Sequence, residues 1–249
     1  MKHREFFYAE PEHIAQDRLQ IVGEELKHLA RVVRKQVRDV IEVVDGKGNL
    51  YTAVLTQITG HIAIADIQKR SRFVGEPNFQ LTLAQAIPKA NRFDWVIEKG
   101  TEIGVASFIP LICEFSIVEN TAHRQARWKK IAIAAMKQSA RSRLPEIRSP
   151  QTFHDVVRNT DMMQLGFIAE RGEDARGLSQ LVQELRARSV PLKSAVLLIG
   201  PEGGFSDKEL KFACENGFHR FSLGPRRLRS ETAGLVASAI MMELAGELS

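Results

Sequence analysis

Two glycine turns beside a group of arginines are the residues of this chain best suited to chemistry. An apolar run at residues 195–199 leads directly into the sequence GPEGG at 200–204, and a second run at 221–223 leads into GP at 224–225. Both runs have the composition of buried strands. Glycine lets a backbone approach a ligand closely, and open α/β sheets place ligands at the carboxyl ends of their strands. The two turns therefore predict a small-molecule site.

Three arginines follow the second turn, at the point where the last helix of the chain is predicted to begin. Ser230 and Glu231 suit a helix N-terminus, the first as a cap and the second through the helix dipole. Arg226, Arg227 and Arg229 do not, because their positive charge opposes the same dipole. Their placement predicts an anionic ligand, or a reacting group that becomes negative.

The first turn matches neither of two common phosphate-binding motifs. It lacks the GxGxxG spacing of a dinucleotide fingerprint, and no GK[ST] follows it as in a P-loop. We expect the two turns to lie side by side and to hold one flat ligand through backbone groups.

A basic segment lies upstream, in a chain whose net charge is +5. Residues 120–150 contain eight lysines and arginines and a single acid. At about 100° per residue, Arg127, Lys130, Lys137 and Arg141 fall within an arc of about 80° on a helix predicted over 125–141. A solvated helix face and a polyanion contact both remain open, and the lack of i,i+4 ion pairs favours the contact.

The elements that must position these residues divide into two parts. Residues 1–72 predict a small barrel of short strands, with a helix over 24–35 and a linker at 70–78. From residue 79 onward strands and helices alternate, which predicts a parallel sheet covered by helices. The expected strands of this part are 81–87, 108–112, 165–169, 195–199 and 221–223, and the expected helices are 93–103, 125–141, 206–216 and 231–248.

The composition excludes several classes of protein. With 44% hydrophobic and 26% charged residues, the chain is typical of soluble globular proteins. It has no apolar run of about 18 residues and no secretory signal pattern, so we expect a cytoplasmic protein without membrane contact. Cys113 and Cys214 have no metal-ligand spacing, and we expect two buried side chains and no metal.

The motifs LLIGPEGGFSDKE at 197–209 and LGPRRLRSETAG at 223–234 resemble the RsmE family of SPOUT-class methyltransferases. Further family-like segments occur in the same order: HLARVVR at 28–34, WVIEKGTEIGV at 95–105 and KQSARSRLPEI at 137–147. The resemblance thus covers nearly the whole chain. The chain departs mildly from the family at Arg227, where an aliphatic residue is common, and at Ser230, where threonine is common.

The resemblance implies a fold and a reaction. The fold is a PUA-like RNA-binding β-barrel at 1–72, followed at 73–249 by a SPOUT α/β domain with a C-terminal trefoil knot, the cofactor site and a homodimer interface. The reaction is methylation of a uridine at N3 in 16S ribosomal RNA of the small subunit, with S-adenosylmethionine as methyl donor. Two alternatives are a SPOUT enzyme acting on another RNA, and a non-catalytic RNA-binding or ribosome-assembly protein.

The resemblance also implies site residues. Uridine must lose its N3 proton, so a guanidinium near the carbonyl oxygens of the base would stabilise the resulting anion. Arg229 is the first candidate for this role, followed by Arg226 and Arg141, while Glu231 either orients an arginine or accepts a proton. The implied cofactor contacts are Leu198, Ile199, Gly200, Gly203, Leu223, Gly224, Leu228, Ser230, Thr232 and Ala233. The implied RNA contacts are Arg4, Arg127, Lys130, Lys137, Gln138 and Arg141.

Overall fold

A computed structural model describes residues 5–89, 91–116, 124–160, 165–172, 175–188 and 192–248. The chain forms two compact units. The first comprises Met1–Glu76 and Ala132–Leu144, and the second comprises Pro77–Ile131 and Pro145–Ser249. Within the described ranges, no helix is long and apolar enough to cross a membrane.

The first unit is built on a sheet. Its described strands are β1 (Phe6–Tyr8), β2 (Arg18–Val22), β3 (Val40–Val44), β4 (Asn49–Ile58) and β5 (Ile62–Arg72). They lie in the order β1-β3-β4-β5-β2. β1 is parallel to β3, and the other pairs are antiparallel. Asp45 closes the β3–β4 hairpin, because its Oδ1 accepts hydrogen bonds from the backbone amides of Lys47 and Asn49 at 2.7 and 3.1 Å.

The helix of the first unit changes type along its length. It runs as α1 over Gly23–Lys27 and as a π-helix over His28–Val32. Leu26 and Leu29 are buried, whereas Val32 is 69% exposed. A π-helix bonds residue i to i+5 and so has more residues per turn than an α-helix. The buried side of the predicted helix therefore cannot be worked out at 100° per residue over its whole length.

The predicted linker at 70–78 is partly structured. β5 continues to Arg72, and the carbonyl of Val74 accepts hydrogen bonds from both the amide and the hydroxyl of Ser142, at 3.1 and 2.9 Å. A Cβ on Gly75 would lie 2.3 Å from the carbonyl oxygen of Ala140, so only glycine permits this approach. The segment up to residue 76 is thus fixed against residues 140–143.

The second unit contains the expected parallel sheet. Its described strands are β6 (Gln80–Ala86), β7 (Ser107–Ile112), β8 (Glu146–Ile147), β9 (Gln151–Thr152), β10 (Leu165–Ala169), β11 (Arg176–Gly177), β12 (Ser194–Ile199) and β13 (His219–Ser222). They follow the order β11-β13-β10-β12-β6-β7-β8, with β9 also paired to β7, and every pair is parallel. β6 and β12 are buried along almost their whole length, as strands covered on both faces require.

Helix ends followed their local signals closely. Ser206 and Glu209 form a capping box, and Gly104 and Gly217 follow the helices Arg92–Ile103 and Asp207–Glu215 with positive φ. The helix predicted over 125–141 ends three residues early, before Ala140 adopts a φ of 56°. The remaining helices are α2 (Arg92–Ile103), α3 (Gln125–Gln138), α4 (Phe153–Asn159), α5 (Leu178–Ala187), α6 (Asp207–Glu215) and α7 (Ser230–Leu244).

The two cysteines differ in their surroundings. Cys113 is buried as expected, and burial, with a smaller contribution from Glu209, raises the pKa of its thiol to about 12. Cys214 is exposed, which corrects the expectation that both would be buried. Among the described residues, no group of three or more His, Cys, Asp or Glu side chains is arranged to hold a metal.

His219 at the start of β13 predicts a pH dependence of stability. Burial first, and then Arg176 and Arg188, lower the pKa of its imidazole below the usual value of about 6.5. The neutral ring is thus favoured in the folded state, so its contribution is present above pH 6.5 and is lost as the pH falls below it. Urea unfolding between pH 5 and 8 should show a loss of stability on the acid side that His219→Asn reduces. An unchanged acid slope in the variant would exclude His219 as its source.

Candidate active site at the carboxyl ends of three strands

A cavity of about 910 Å³ lies at the carboxyl ends of β10, β12 and β13. Residues 200–204 form its first glycine turn and residues 224–229 its second glycine turn. The strands that precede the turns are not adjacent, because β10 lies between β13 and β12. The turns therefore do not lie on neighbouring strands as expected, and residues 169–172 after β10 line the cavity between them.

Most of the predicted cofactor contacts come together here. Leu198 does not line the cavity, because its side chain is fully buried in the core, and Thr232 does not line it either. The predicted residues that line it are Ile199, Gly200, Gly203, Leu223, Gly224, Leu228, Ser230 and Ala233.

Ser230 joins three elements at the base of this site. Its hydroxyl donates to the carbonyl oxygen of Gly200 at 2.6 Å and accepts from Nε2 of Gln85 on β6 at 2.6 Å. Ser230 is the first residue of α7, and Arg229 holds the N-cap position without a side-chain cap. The hydroxyl therefore holds α7 to the first glycine turn instead of capping the helix, which corrects the role expected for it.

Removing the Ser230 hydroxyl should loosen both glycine turns. In Ser230→Ala, Nε2 of Gln85 and the carbonyl of Gly200 lose a buried partner, which costs about 1–3 kcal/mol of folding stability. Ser230→Thr keeps the hydroxyl and is the matched control. We expect lower stability in urea unfolding and weaker ligand binding for the alanine variant only. Equal stability of the two variants would show that the hydrogen bonds are dispensable.

The three arginines of the second turn line the cavity and are exposed. Arg227 reaches across to the first glycine turn, where its Nη2 lies 3.5 Å from the carbonyl oxygen of Glu202. The side chains of Arg226 and Arg229 make no hydrogen bond or ion pair with the part of the chain that the structure describes. Their donors are thus available to a ligand.

Glu231 does not line the cavity, and its side chain is only 8% exposed. Its Oε1 lies 3.6 Å from Nε of Arg92, and its Oε2 is buried without a hydrogen-bond partner among the described residues. Arg92, which the sequence reading missed, lines the cavity and also lies 4.0 Å from Glu202. A basic residue in the first turn of a helix opposes the dipole, and that signal at the start of α2 was available in the sequence.

Gln85 was also missed. It is fully buried on β6, and its Oε1 has no partner among the described residues. A Cβ on Gly234 of α7 would lie 2.1 Å from that oxygen, so the two elements touch there. A polar residue inside an apolar strand at 81–86 was the signal that could have identified it.

The basic stripe is the set of four bases that the sequence places on one helix face: Arg127, Lys130, Lys137 and Arg141. Its members on α3 include two that pair with acids distant in sequence. Oδ2 of Asp94 lies 2.6 Å from Nη2 of Arg127 in the second unit. In the first unit, Lys137 donates to both carboxylate oxygens of Glu25 at 2.7 and 2.8 Å. These ion pairs weaken the argument that favoured a polyanion contact over a solvated face, because it considered only i,i+4 partners.

Arg141 is the clearest departure from the expected site. Its side chain is 4% exposed, and its Nε and Nη2 donate to Oε2 of Glu76 at 3.2 and 2.9 Å. It belongs to the first unit, whereas the glycine turns belong to the second. A guanidinium buried against a carboxylate is placed to hold the fold, not to contact a base or a phosphate.

The remaining candidates for RNA contact are Lys130, Gln138 and Arg4. Lys130 and Gln138 are exposed on α3, and Lys130 has no ion pair with any described acid. Arg4 lies outside the described residues.

Comparison with known proteins gives consistent matches along the chain. The family model of an RNA methyltransferase PUA domain matches residues 21–68, and that of an RNA methyltransferase domain matches residues 75–242. Ribosomal RNA small subunit methyltransferase E of Synechocystis sp. is 32% identical over 232 residues, which cover 92% of this chain and 74% of that protein. The protein of the same name from Bacillus subtilis is 28% identical over 222 residues, 87% of this chain and 86% of its own length.

A solved structure extends the likeness to three dimensions. The crystal structure of a ribosomal RNA small subunit methyltransferase E from Neisseria gonorrhoeae, bound to S-adenosyl methionine, matches with a TM-score of 0.85 at 32% identity. The match covers 97% of this chain and 98% of that one. The expected order of a PUA domain followed by a SPOUT-type α/β domain is thereby confirmed, while the trefoil knot stays a prediction.

Proposed function

This chain belongs to the family of ribosomal RNA small subunit methyltransferase E, and on that premise we propose that it methylates N3 of a uridine in 16S ribosomal RNA. The methyl donor is S-adenosylmethionine. The observation that carries the proposal is the cavity at the ends of β10, β12 and β13, where two glycine turns meet five arginines. Those arginines are Arg92, Arg171, Arg226, Arg227 and Arg229.

The cavity suits S-adenosylmethionine in size and lining. Its volume of about 910 Å³ falls in the range of small-molecule sites. Ile199, Leu223 and Leu228 offer apolar contacts, and the glycine turns offer backbone donors and acceptors without side-chain obstruction. The bound donor supplies an electrophilic methyl group on a sulfonium. All ten residues named from the family motifs remain our candidates for holding it, with Leu198 restricted to its backbone because its side chain is in the core.

The protein's own part in the reaction is orientation and charge stabilisation. N3 of uracil lies between two carbonyl groups, and their oxygens become more negative as the N3 proton leaves. Exposed guanidinium groups at the cavity, with Arg229 first and Arg226 second, would donate to these oxygens. Holding the base and the methyl group in line supplies the other large part of the rate enhancement.

RNA binding is proposed for both parts of the chain. Residues 1–72 would act as the PUA-like RNA-binding domain, and residues 73–249 as the methyltransferase domain. On α3, exposed Lys130 and Gln138 are the better candidates for RNA contact, since Arg127 and Lys137 already pair with Asp94 and Glu25. Arg4 stays a candidate for RNA contact from the family resemblance.

A homodimer in the cytoplasm completes the proposal. Trp95 on α2 is 54% exposed and Val236 on α7 is 37% exposed, and exposed apolar side chains of this kind suit a partner surface. Analytical ultracentrifugation tests the dimer. A strict monomer at micromolar concentration would contradict it.

The function is tested by the product. The protein is incubated with labelled S-adenosylmethionine and under-methylated small ribosomal subunits, and the RNA is digested and its nucleosides identified. We expect label in 3-methyluridine from 16S RNA. Label in another nucleoside or another RNA would support a different SPOUT specificity, and absence of both labelling and donor binding would support a non-catalytic binding protein.

A further inference from the structure

We propose that Arg92 is a substrate-binding catalytic residue and that Glu231 positions it. This inference rests on the proposed function and deepens it. In this assignment the Arg92 guanidinium donates to one carbonyl oxygen of the target uracil, and Glu231 acts through Arg92 without touching the substrate.

The first step of the argument is the state of the Arg92 donors. The side chain lines the cavity and is 40% exposed. It lies between two carboxylates, 3.6 Å from Glu231 and 4.0 Å from Glu202, yet it makes no hydrogen bond with any described residue. A guanidinium has five N–H donors. Arg92 is therefore held in place by charge while its donors remain available to a ligand.

The second step concerns Glu231. Its Oε2 is shielded from solvent and lacks a hydrogen-bond partner among the described residues, and its Oε1 faces Arg92. A general base must come within hydrogen-bond reach of the proton that it takes. Since Glu231 is buried and does not line the cavity, it is not placed to accept the N3 proton. Of the two roles that the sequence left open, orientation of an arginine is the one that the geometry favours.

The third step identifies the group that Arg92 binds. Two acids already balance its charge, so a permanent carboxylate, such as that of the methyl donor, would add a third negative group beside one guanidinium. A carbonyl oxygen adds no charge when the substrate binds and becomes more negative only as N3 is deprotonated. The interaction thus strengthens in the transition state, which is the condition for catalysis. Uracil has two such oxygens, so Arg92 would serve one of them and Arg229, ahead of Arg226, would serve the other.

The chemical step balances without another reactant. The N3–H bond breaks and its proton passes to solvent, the N3 electron pair forms a bond to the methyl carbon, and the carbon–sulfur bond breaks with its pair remaining on sulfur. The products are 3-methyluridine, S-adenosylhomocysteine and a proton. Arg92 takes part only through its donated hydrogen bonds.

The test compares variants on the same RNA. Arg92→Ala should lower kcat by about 100-fold or more, as loss of one donor to a developing oxyanion does, and should move the pH optimum upward because N3 deprotonation loses support. Glu231→Gln should lower kcat less and leave the KM for RNA nearly unchanged. Arg186→Ala removes an exposed arginine of α5 as the matched control and should match the wild type.

Folding and donor binding are measured separately. Arg92→Ala leaves the buried Glu231 carboxylate without its partner, so Arg92→Lys and the double variant Arg92→Ala/Glu231→Gln are included to keep a folded protein with altered chemistry. Calorimetry with S-adenosylmethionine and with its decarboxylated analogue identifies the group that Arg92 binds. The proposal expects the arginine variants to bind both compounds nearly as the wild type does.

Two results would overturn the proposal. In the first, Arg92→Lys loses S-adenosylmethionine affinity by the same factor as it loses kcat, and its affinity for the decarboxylated analogue is unchanged. Arg92 would then be a contact of the donor's carboxylate. The other is wild-type kcat in folded Arg92→Lys and in the double variant. If the wild type forms no 3-methyluridine, it is the proposed function that fails. Calorimetry separates this failure from a failure of the Arg92 assignment, because binding of the methyl donor is measured without RNA.

Discussion

Arg229→Ala should abolish most turnover while leaving S-adenosylmethionine binding nearly intact. Arg229 is exposed at the cavity and makes no ion pair with any described acid, so its removal leaves no buried charge behind. If its guanidinium stabilises the uracil anion, the loss of one such donor lowers kcat by about 100- to 1,000-fold. Single-turnover assays and calorimetry with the methyl donor measure the two effects independently.

The controls for Arg229 separate charge from geometry. Arg229→Lys keeps the charge but loses the planar donor fork, and should recover only part of the rate. Arg186→Ala should behave as the wild type. Parallel losses of turnover and donor affinity in Arg229→Ala would show that this residue contacts the donor or supports the turn, and would remove it from the chemical step.

Glu76→Ala should destabilise the first unit by about 3–5 kcal/mol, because it leaves the buried Arg141 guanidinium without its carboxylate. Glu76 also accepts hydrogen bonds from the backbone amides of Ser142 and Arg143 at 2.8 and 2.7 Å. Its loss thus frees the turn after α3 as well. Hydrogen exchange of these two amides, together with thermal unfolding, should report the change.

An exposed pair provides the control for Glu76. Glu146→Ala removes an ion pair with Arg148 whose side chains are 62% and 42% exposed, and such pairs contribute about 0–1 kcal/mol. If Glu76→Ala were as mild as Glu146→Ala, Arg141 would not depend on its partner. The catalytic or RNA-binding role first expected for Arg141 would then return as the better explanation.

The pairing of charged groups shows where the sequence alone was insufficient. Lys137 bonds to an acid 112 residues away, and Arg141 bonds to one 65 residues away. Within the sequence, only the i,i+3 and i,i+4 neighbours of a helical residue can be assessed, and these offered the basic stripe no acids. The sequence therefore favoured a surface for a polyanion, whereas ion pairs in the folded structure neutralise three of the four bases of the stripe.

Features that depend on neighbouring residues follow from the sequence alone. The capping box of α6, the glycine that follows α2, the parallel sheet of the second unit and the two glycine turns could be predicted because backbone conformation responds to residues a few positions apart. The site residues after β12 and β13 followed from the same turns. Eight of the ten predicted cofactor contacts line the cavity for that reason.

The contacts between groups that are distant in sequence follow from the tertiary fold. It placed β10 between the two strands that carry the glycine turns, joined Gln85 and Gly200 through the Ser230 hydroxyl, and brought Arg92 beside Glu231. None of these neighbours is close in sequence. Strand order and helix packing bring them together. Both arise from burial of the whole apolar core, and no local sequence pattern specifies which element packs against which.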